Sequence, residues 1–180
     1  MAACGGTSDK DAVASAKDRI GKKDLAGAVL DLKSALQKSP NLGEARFLLG
    51  TTLLRQGDAP GAIVELGKAA EAGYDDELVQ PKLAWARLQA GRPVEVVKST
   101  EKMELRNRSS QAELLAALSL AQSMQKQDAA ARETVEKALA ADPSGAAALS
   151  VKARYLAASG MFDEALVLLD KIPPEASLAR

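Results

Sequence analysis

Apolar residues recur along the chain at spacings of three and four, the pattern of helices that bury one stripe. The same pattern returns at long range. The stretch LLGTTLLRQGDAPGAIVELGKAAEAG (48–73) lies over ALSVKARYLAASGMFDEALVLLDKI (148–172), with Gly57 on Gly160, Ala62 on Ala165 and Leu66 on Leu169. Carried along the chain, this register gives five units beginning near Asp9, Gly43, Glu77, Ala112 and Ala146, at offsets of 34, 34, 35 and 34 residues.

Three columns recur in the second half of each unit. The first holds Ala28, Ala62, Val96, Ala131 and Ala165. The second holds Leu32, Leu66, Thr100, Val135 and Leu169, and the third Ala35, Ala69, Met103, Ala138 and Ile172. Steps of four and three place them on one helical face. Gly57, Gly91 and Gly160 mark a turn inside units two, three and five, and unit four carries Lys126 there. Each unit therefore reads as two helices. One pair cannot bury its apolar face alone, but stacked pairs can.

Capping chemistry gives a second reading of the register. Thr7, Asn41, Asp75, Ser110 and Ser144 stand two residues before the unit starts, and all five are types that accept from a helix's first free N–H groups. Glu44 and Glu113 follow Asn41 and Ser110 at capping-box spacing. Asp24 and Asp58 precede second helices, and Pro60 and Pro93 fit first turns.

Composition narrows the chemistry. Lys plus Arg and Asp plus Glu each total 24, so the formal charge is zero, which argues against a general nucleic-acid binder. With no His and one Cys, no transition-metal site of nitrogen and sulfur ligands is expected. Nor is a Ser-His or Cys-His nucleophile pair, and no cofactor is expected. No apolar run reaches the roughly 18 residues of a membrane span.

The helix-pair period resembles the tetratricopeptide repeat (TPR). Unit two carries the family pattern most fully, in "LLG" at 48–50, Gly57, Ala62, Leu66 and Ala69. The resemblance covers residues 9–172. It departs at Val96, Thr100 and Arg106 to Ser109 in unit three, and at Lys126 in unit four. It implies an all-α, right-handed superhelical solenoid of about five repeats: 9–42, 43–76, 77–111 (divergent), 112–145 and 146–180, after an N-terminal tether at 1–8.

The resemblance also implies a concave groove lined by first-helix residues at unit positions 2, 5, 9, 12 and 13. Among these are Phe47, Thr51, Leu54, Trp85, Leu88, Leu120 and Met124. Positions 5 and 9 hold Val13 and Lys17, Phe47 and Thr51, Pro81 and Trp85, Ala116 and Leu120, and Ser150 and Arg154. The Lys and Asn pair that clamps a terminal carboxylate is not among them, so a chaperone-tail receptor is not expected. The mid-groove is apolar, which suits a helix or extended segment of a protein partner. The alternative for Trp85 is packing between units two and three.

The single cysteine lies before the first unit. Ala2-Ala3-Cys4-Gly5 resembles the end of a bacterial lipobox, with Met1 where a Leu is usual. On that reading Cys4 is the lipid attachment site, and the membrane is met only through that lipid; the alternative is an accidental free thiol. The run at 31–69 resembles the N-terminal repeats of the TPR lipoprotein of exosortase/PEP-CTERM exopolysaccharide systems. That resemblance implies an outer-membrane or periplasmic scaffold in extracellular polysaccharide or surface-protein export; no constellation of acid, base and nucleophile stands out, so no enzymatic activity is expected. The alternatives are a cytoplasmic adaptor and a substrate-reading module of a larger enzyme. The closing PPEASLAR supplies no amphipathic covering helix, so Leu166 and Leu169 are expected to lack cover. A longer array, or pairing with another copy through this terminal repeat, is expected.

Overall fold

The protein is described by a computed structural model covering residues 8–173. Ten α-helices and no strand occur among the described residues. In chain order they are α1 (Asp9–Gly21), α2 (Leu25–Lys38), α3 (Gly43–Arg55), α4 (Ala59–Glu71), α5 (Asp76–Gln89), α6 (Pro93–Thr100), α7 (Arg108–Met124), α8 (Asp128–Ala141), α9 (Ala146–Ala158) and α10 (Phe162–Leu169). The described residues form two compact units that divide between Val79 and Gln80.

The column residues make the cores. In the first unit Ala28, Leu32, Ala35, Ala62, Leu66 and Ala69 are fully buried, and Ala16 and Ala45 join them from the first helices. In the second unit Val96, Thr100, Ala131, Val135, Ala138 and Ala165 are buried. Leu169 departs from its column at 44% exposed, while Leu32, Leu66, Thr100 and Val135 are exposed by 3% or less. A further column sits at Ala16, Gly50, Ala84, Ser119 and Ala153, all buried. These small residues let the first helix approach its partner closely. A Cβ on Gly50 would stand 2.7 Å from Leu66 Cγ.

The intra-repeat turn is the same in all five units. The N–H groups of Asp24, Asp58, Arg92, Gln127 and Met161 donate to the carbonyls of Arg19, Leu53, Arg87, Gln122 and Leu156 at 2.8–3.0 Å. This six-to-one bond closes each first helix and requires one left-handed residue inside the loop. That residue is Gly57, Gly91 or Gly160 in three turns, and Lys23 (φ 63°) or Lys126 (φ 62°) in the others.

Capping follows the expected scheme only in part. Asp24 and Asp58 accept from the N–H groups of Gly27 and Gly61, at 2.9 Å each. Pro60 and Pro93 lie in first turns, and Asp75 accepts from Glu77 N at 3.0 Å. The other inter-unit caps need correction, except Thr7, which lies outside the described residues. Ser8 caps α1, in a reciprocal box with Asp11. Leu42 and Gly145 stand at the N-caps of α3 and α9 with no side-chain bond, so Asn41 and Ser144 cap neither. Asn107, not Ser110, caps α7. The chain enters these helices one to three residues away from the register position; only at α7 does a side-chain acceptor stand at the entry.

Unit three is shortened. α6 has 8 residues, as does α10, against 14, 13 and 14 in α2, α4 and α8. Its third column carries Met103 where units one, two and four bury Ala35, Ala69 and Ala138, and unit five holds the half-buried Ile172. A methionine does not fit a contact closed down to a methyl group, and the chain leaves the helix after Thr100. Asn107 then starts α7 early, and Gln111 Oε1 accepts from Leu105 N at 2.7 Å to hold the connecting segment.

One polar network of the second core joins three helices. Ser119 Oγ donates to the Ala131 carbonyl at 2.6 Å, and the Tyr155 hydroxyl donates to the Ser119 carbonyl at 3.0 Å. The two hydroxyl oxygens lie 2.9 Å apart, so α7, α8 and α9 meet through one small network.

Candidate functional site

The sequence-predicted groove residues fall in both units. In the first, Phe47 lies with its ring centroid 5.2 Å from that of Tyr74, tilted by 30°. Gly43 permits this approach, because a Cβ there would lie 3.0 Å from Tyr74 Cβ. Burial raises the Tyr74 phenol above its usual value, and the Glu44 carboxylate adds to the shift. Glu44 also meets Lys17 at 2.6 Å, which holds the Lys17 ammonium above its ordinary pKa. Thr51 turns its hydroxyl back onto its own helix, 3.0 Å from the carbonyls of both Phe47 and Leu48. Its proton is therefore engaged within α3. Leu54, one turn further, is half-buried.

In the second unit Trp85 is half-buried and packs against two core clusters. One contains Ala84, Leu88 and Leu114; the other contains Ala116, Val135 and Val151. Leu120 packs against the same two clusters and is also half-buried. Leu88 is only 7% exposed and forms wall rather than surface. Met124, one turn beyond Leu120 on α7, is 49% exposed. The packing role of Trp85 thus lies within the second unit, and its exposed part, Leu120 and Met124 make the apolar surface available there. Lys82 and Glu113 add an ion pair at 2.6 Å between α5 and α7.

Tyr74 is the residue that helical periodicity misses. It sits in the turn after α4, outside any apolar stripe, and only its aromatic type marked it. Cys4 lies outside the described residues. Among the described residues no group of three Cys, Asp or Glu is placed to hold a metal ion, and no helix is long and apolar enough to cross a membrane.

The tetratricopeptide repeat family model matches residues 19–86 and 123–179. The chain is a tetratricopeptide repeat protein. The gap between the two matched stretches spans α6 and most of α7, where this TPR chain departs from the standard unit. Solved TPR-like structures share its fold. A crystal structure of MamA superposes with TM-score 0.66 at 22% identity, covering 87% of this chain and 91% of that one. A second MamA structure gives 0.70 at 21%, covering 91% and 88%. YrrB, described as a TPR protein with an unusual peptide-binding site, gives 0.65 at 18%, covering 94% and 88%. No curated protein sequence is significantly similar to the TPR chain.

Proposed function

We propose that this TPR protein is a non-enzymatic scaffold that binds a protein segment on the apolar first-helix surface. The observation that carries the reading is the exposure of Met124 beside the half-buried Leu120 and Trp85, on the helix face the family uses for partners. An aromatic anchor set among aliphatic side chains suits an apolar helix or extended peptide. The peptide-binding site named for YrrB supports the same class of ligand.

Trp85 is the only tryptophan of the chain, so its emission reports directly on this surface. Peptides selected from a displayed library against the full chain are expected to shift Trp85 emission and to lose binding in Met124→Glu. Selected peptides that leave the emission unchanged and bind Met124→Glu as tightly would overturn the reading.

The finer proposal is a lipid anchor on Cys4, supported by the Ala2-Ala3-Cys4-Gly5 stretch. A periplasmic or outer-membrane role in exopolysaccharide or surface-protein export is supported by the sequence resemblance of residues 31–69 alone. Labelling of the full-length protein with a radioactive fatty acid in cells, abolished in Cys4→Ala, is the expected result. Unlabelled wild-type protein favours the cytoplasmic adaptor.

A further inference from the structure

The last helix leaves one apolar face uncovered. Phe162, Leu166 and Leu169 follow one another at steps of four and three, which places them on one side of α10. Phe162 is 64% exposed, Leu166 is 58% exposed, and Leu169 is exposed as well. The repeat supplies the comparison. In unit two the same positions hold Ala59, Ile63 and Leu66, which are buried, half-buried and fully buried. In unit one they hold Leu25, Val29 and Leu32, the first two half-buried and the third fully buried.

A following first helix provides the cover in earlier units. Leu32 shares a core cluster with Ala45 and Leu49 of α3, and Val135 shares one with Ala148 and Val151 of α9. Val167 has a different origin. It is exposed, but so are Leu30 and Val64 at the same position of units one and two, where the next helix is in place.

Residues 174–180 hold one large apolar side chain, Leu178, so they do not supply three apolar partners. A second copy of the chain meets the face in one of two ways. Head-to-tail stacking would lay α1 of that copy on α10. At the positions of Ala45, Leu49 and Val151, α1 carries Asp11, Ser15 and Ala14. Asp11 accepts from Ser8 N, and Ser15 Oγ donates to Asp31 at 2.7 Å. Setting Asp11 against Leu166 and Leu169 would bury a carboxylate among aliphatic groups, a cost the apolar contact does not repay. The face does match itself. Steps of four and three read in reverse as three and four, so an antiparallel pair sets Phe162 against Leu169 of the copy. Leu166 then meets its own counterpart beside the two-fold axis. Because α1 is polar, such an association closes at two copies and does not run on into a filament.

We propose that α10 is a self-association face and that two copies of this chain pair antiparallel through Phe162, Leu166 and Leu169. Asp163 and Asp170 stand on one side of this seam, and the two-fold brings the acids of one copy toward those of the other. Salt screens that repulsion, so pairing tightens as ionic strength rises. The face belongs to a second helix and does not rest on the first-helix surface proposed above.

Analytical ultracentrifugation of the full chain is the test. A monomer–dimer equilibrium is expected, with a dissociation constant on the order of 100 µM or tighter, as suits a small interface. Phe162→Gln and Leu166→Gln each remove two buried apolar chains per dimer and are expected to weaken it about tenfold or more. Both side chains are exposed in the single copy, so the thermal melt of the dilute monomer should hold. Val167→Gln, a like change off the seam, is expected to leave the dimer intact. In a Cys4→Ser background, oxidised Leu166→Cys is expected to form a disulfide-linked dimer, and Val64→Cys, exposed on α4, is not. A chain that stays monomeric at millimolar concentration overturns the proposal. So does a dimer that survives both seam substitutions, or one that Val167→Gln disrupts equally.

Discussion

Leu66 packs directly against the bare backbone of Gly50: a Cβ at that glycine would stand 2.7 Å from Leu66 Cγ and 3.1 Å from Leu66 N. The neighbours in the way are a branch point and main chain, which cannot swing aside. Gly50→Ala is therefore expected to destabilise the fold by about 1–3 kcal/mol through overpacking, despite alanine's better helix propensity. Gly67, inside α4, has nothing within 4 Å of its virtual Cβ. Gly67→Ala is expected to stabilise by about 1 kcal/mol. Urea melts of the two variants should move in opposite directions, and a shared direction contradicts the packing described.

The conserved turn geometry makes a second prediction. Lys23 and Lys126 occupy left-handed backbone that glycine fills in the other three turns. A side chain there costs about 1–2 kcal/mol, partly offset by glycine's greater unfolded-state freedom. Lys23→Gly and Lys126→Gly are each expected to gain about 0.5–1 kcal/mol. Gly57→Ala is expected to lose stability, although its virtual Cβ meets nothing. Thermal denaturation separates these outcomes.

Asp24 links stability to pH. Its carboxyl is held below the ordinary aspartate value, first by the Gly27 N–H and then by Arg19. A folded pKa below the unfolded one gives stabilisation that is complete above the unfolded value of about 3.9. It is lost as pH falls through the lower folded value. An NMR titration of this carboxyl should show a midpoint below the model-peptide value. Asp24→Asn keeps an acceptor for the cap and should remove that part of the acid dependence.

Removal of the Tyr155 hydroxyl isolates the polar core contact. Tyr155→Phe is expected to cost about 0.5–1.5 kcal/mol, measured as a shift in the urea midpoint with an unchanged slope. No shift would mean that the hydroxyl contributes nothing beyond its ring.

Much of this architecture is readable from residues because burial imposes the period directly. Ala28, Leu32, Ala62, Leu66, Ala131 and Val135 are buried for the reason their spacing suggests. The caps at Ser8 and Asn107 were less legible, since Ser, Asp and Asn crowd every inter-unit turn and only backbone geometry selects among them. Val96, Thr100 and Met103 marked unit three as irregular, but not that α6 would stop about a turn and a half early. A missing stretch of helix leaves no periodic trace. Tyr74 was hidden for a related reason: its partner, Phe47, lies 27 positions away, and no helical spacing connects them.

The contact of Ser119 with Ala131 and Tyr155 bears on alignment as well as adhesion. Columns of alanine and leucine are nearly interchangeable, so sliding one helix past another by a turn exchanges like for like. Sliding α9 along α7 would instead strand the Tyr155 phenol and the Ser119 oxygens among aliphatic groups. One hydroxyl, placed where four sister positions carry only hydrogen or methyl, thus singles out a unique seating for three helices that apolar matching alone leaves ambiguous.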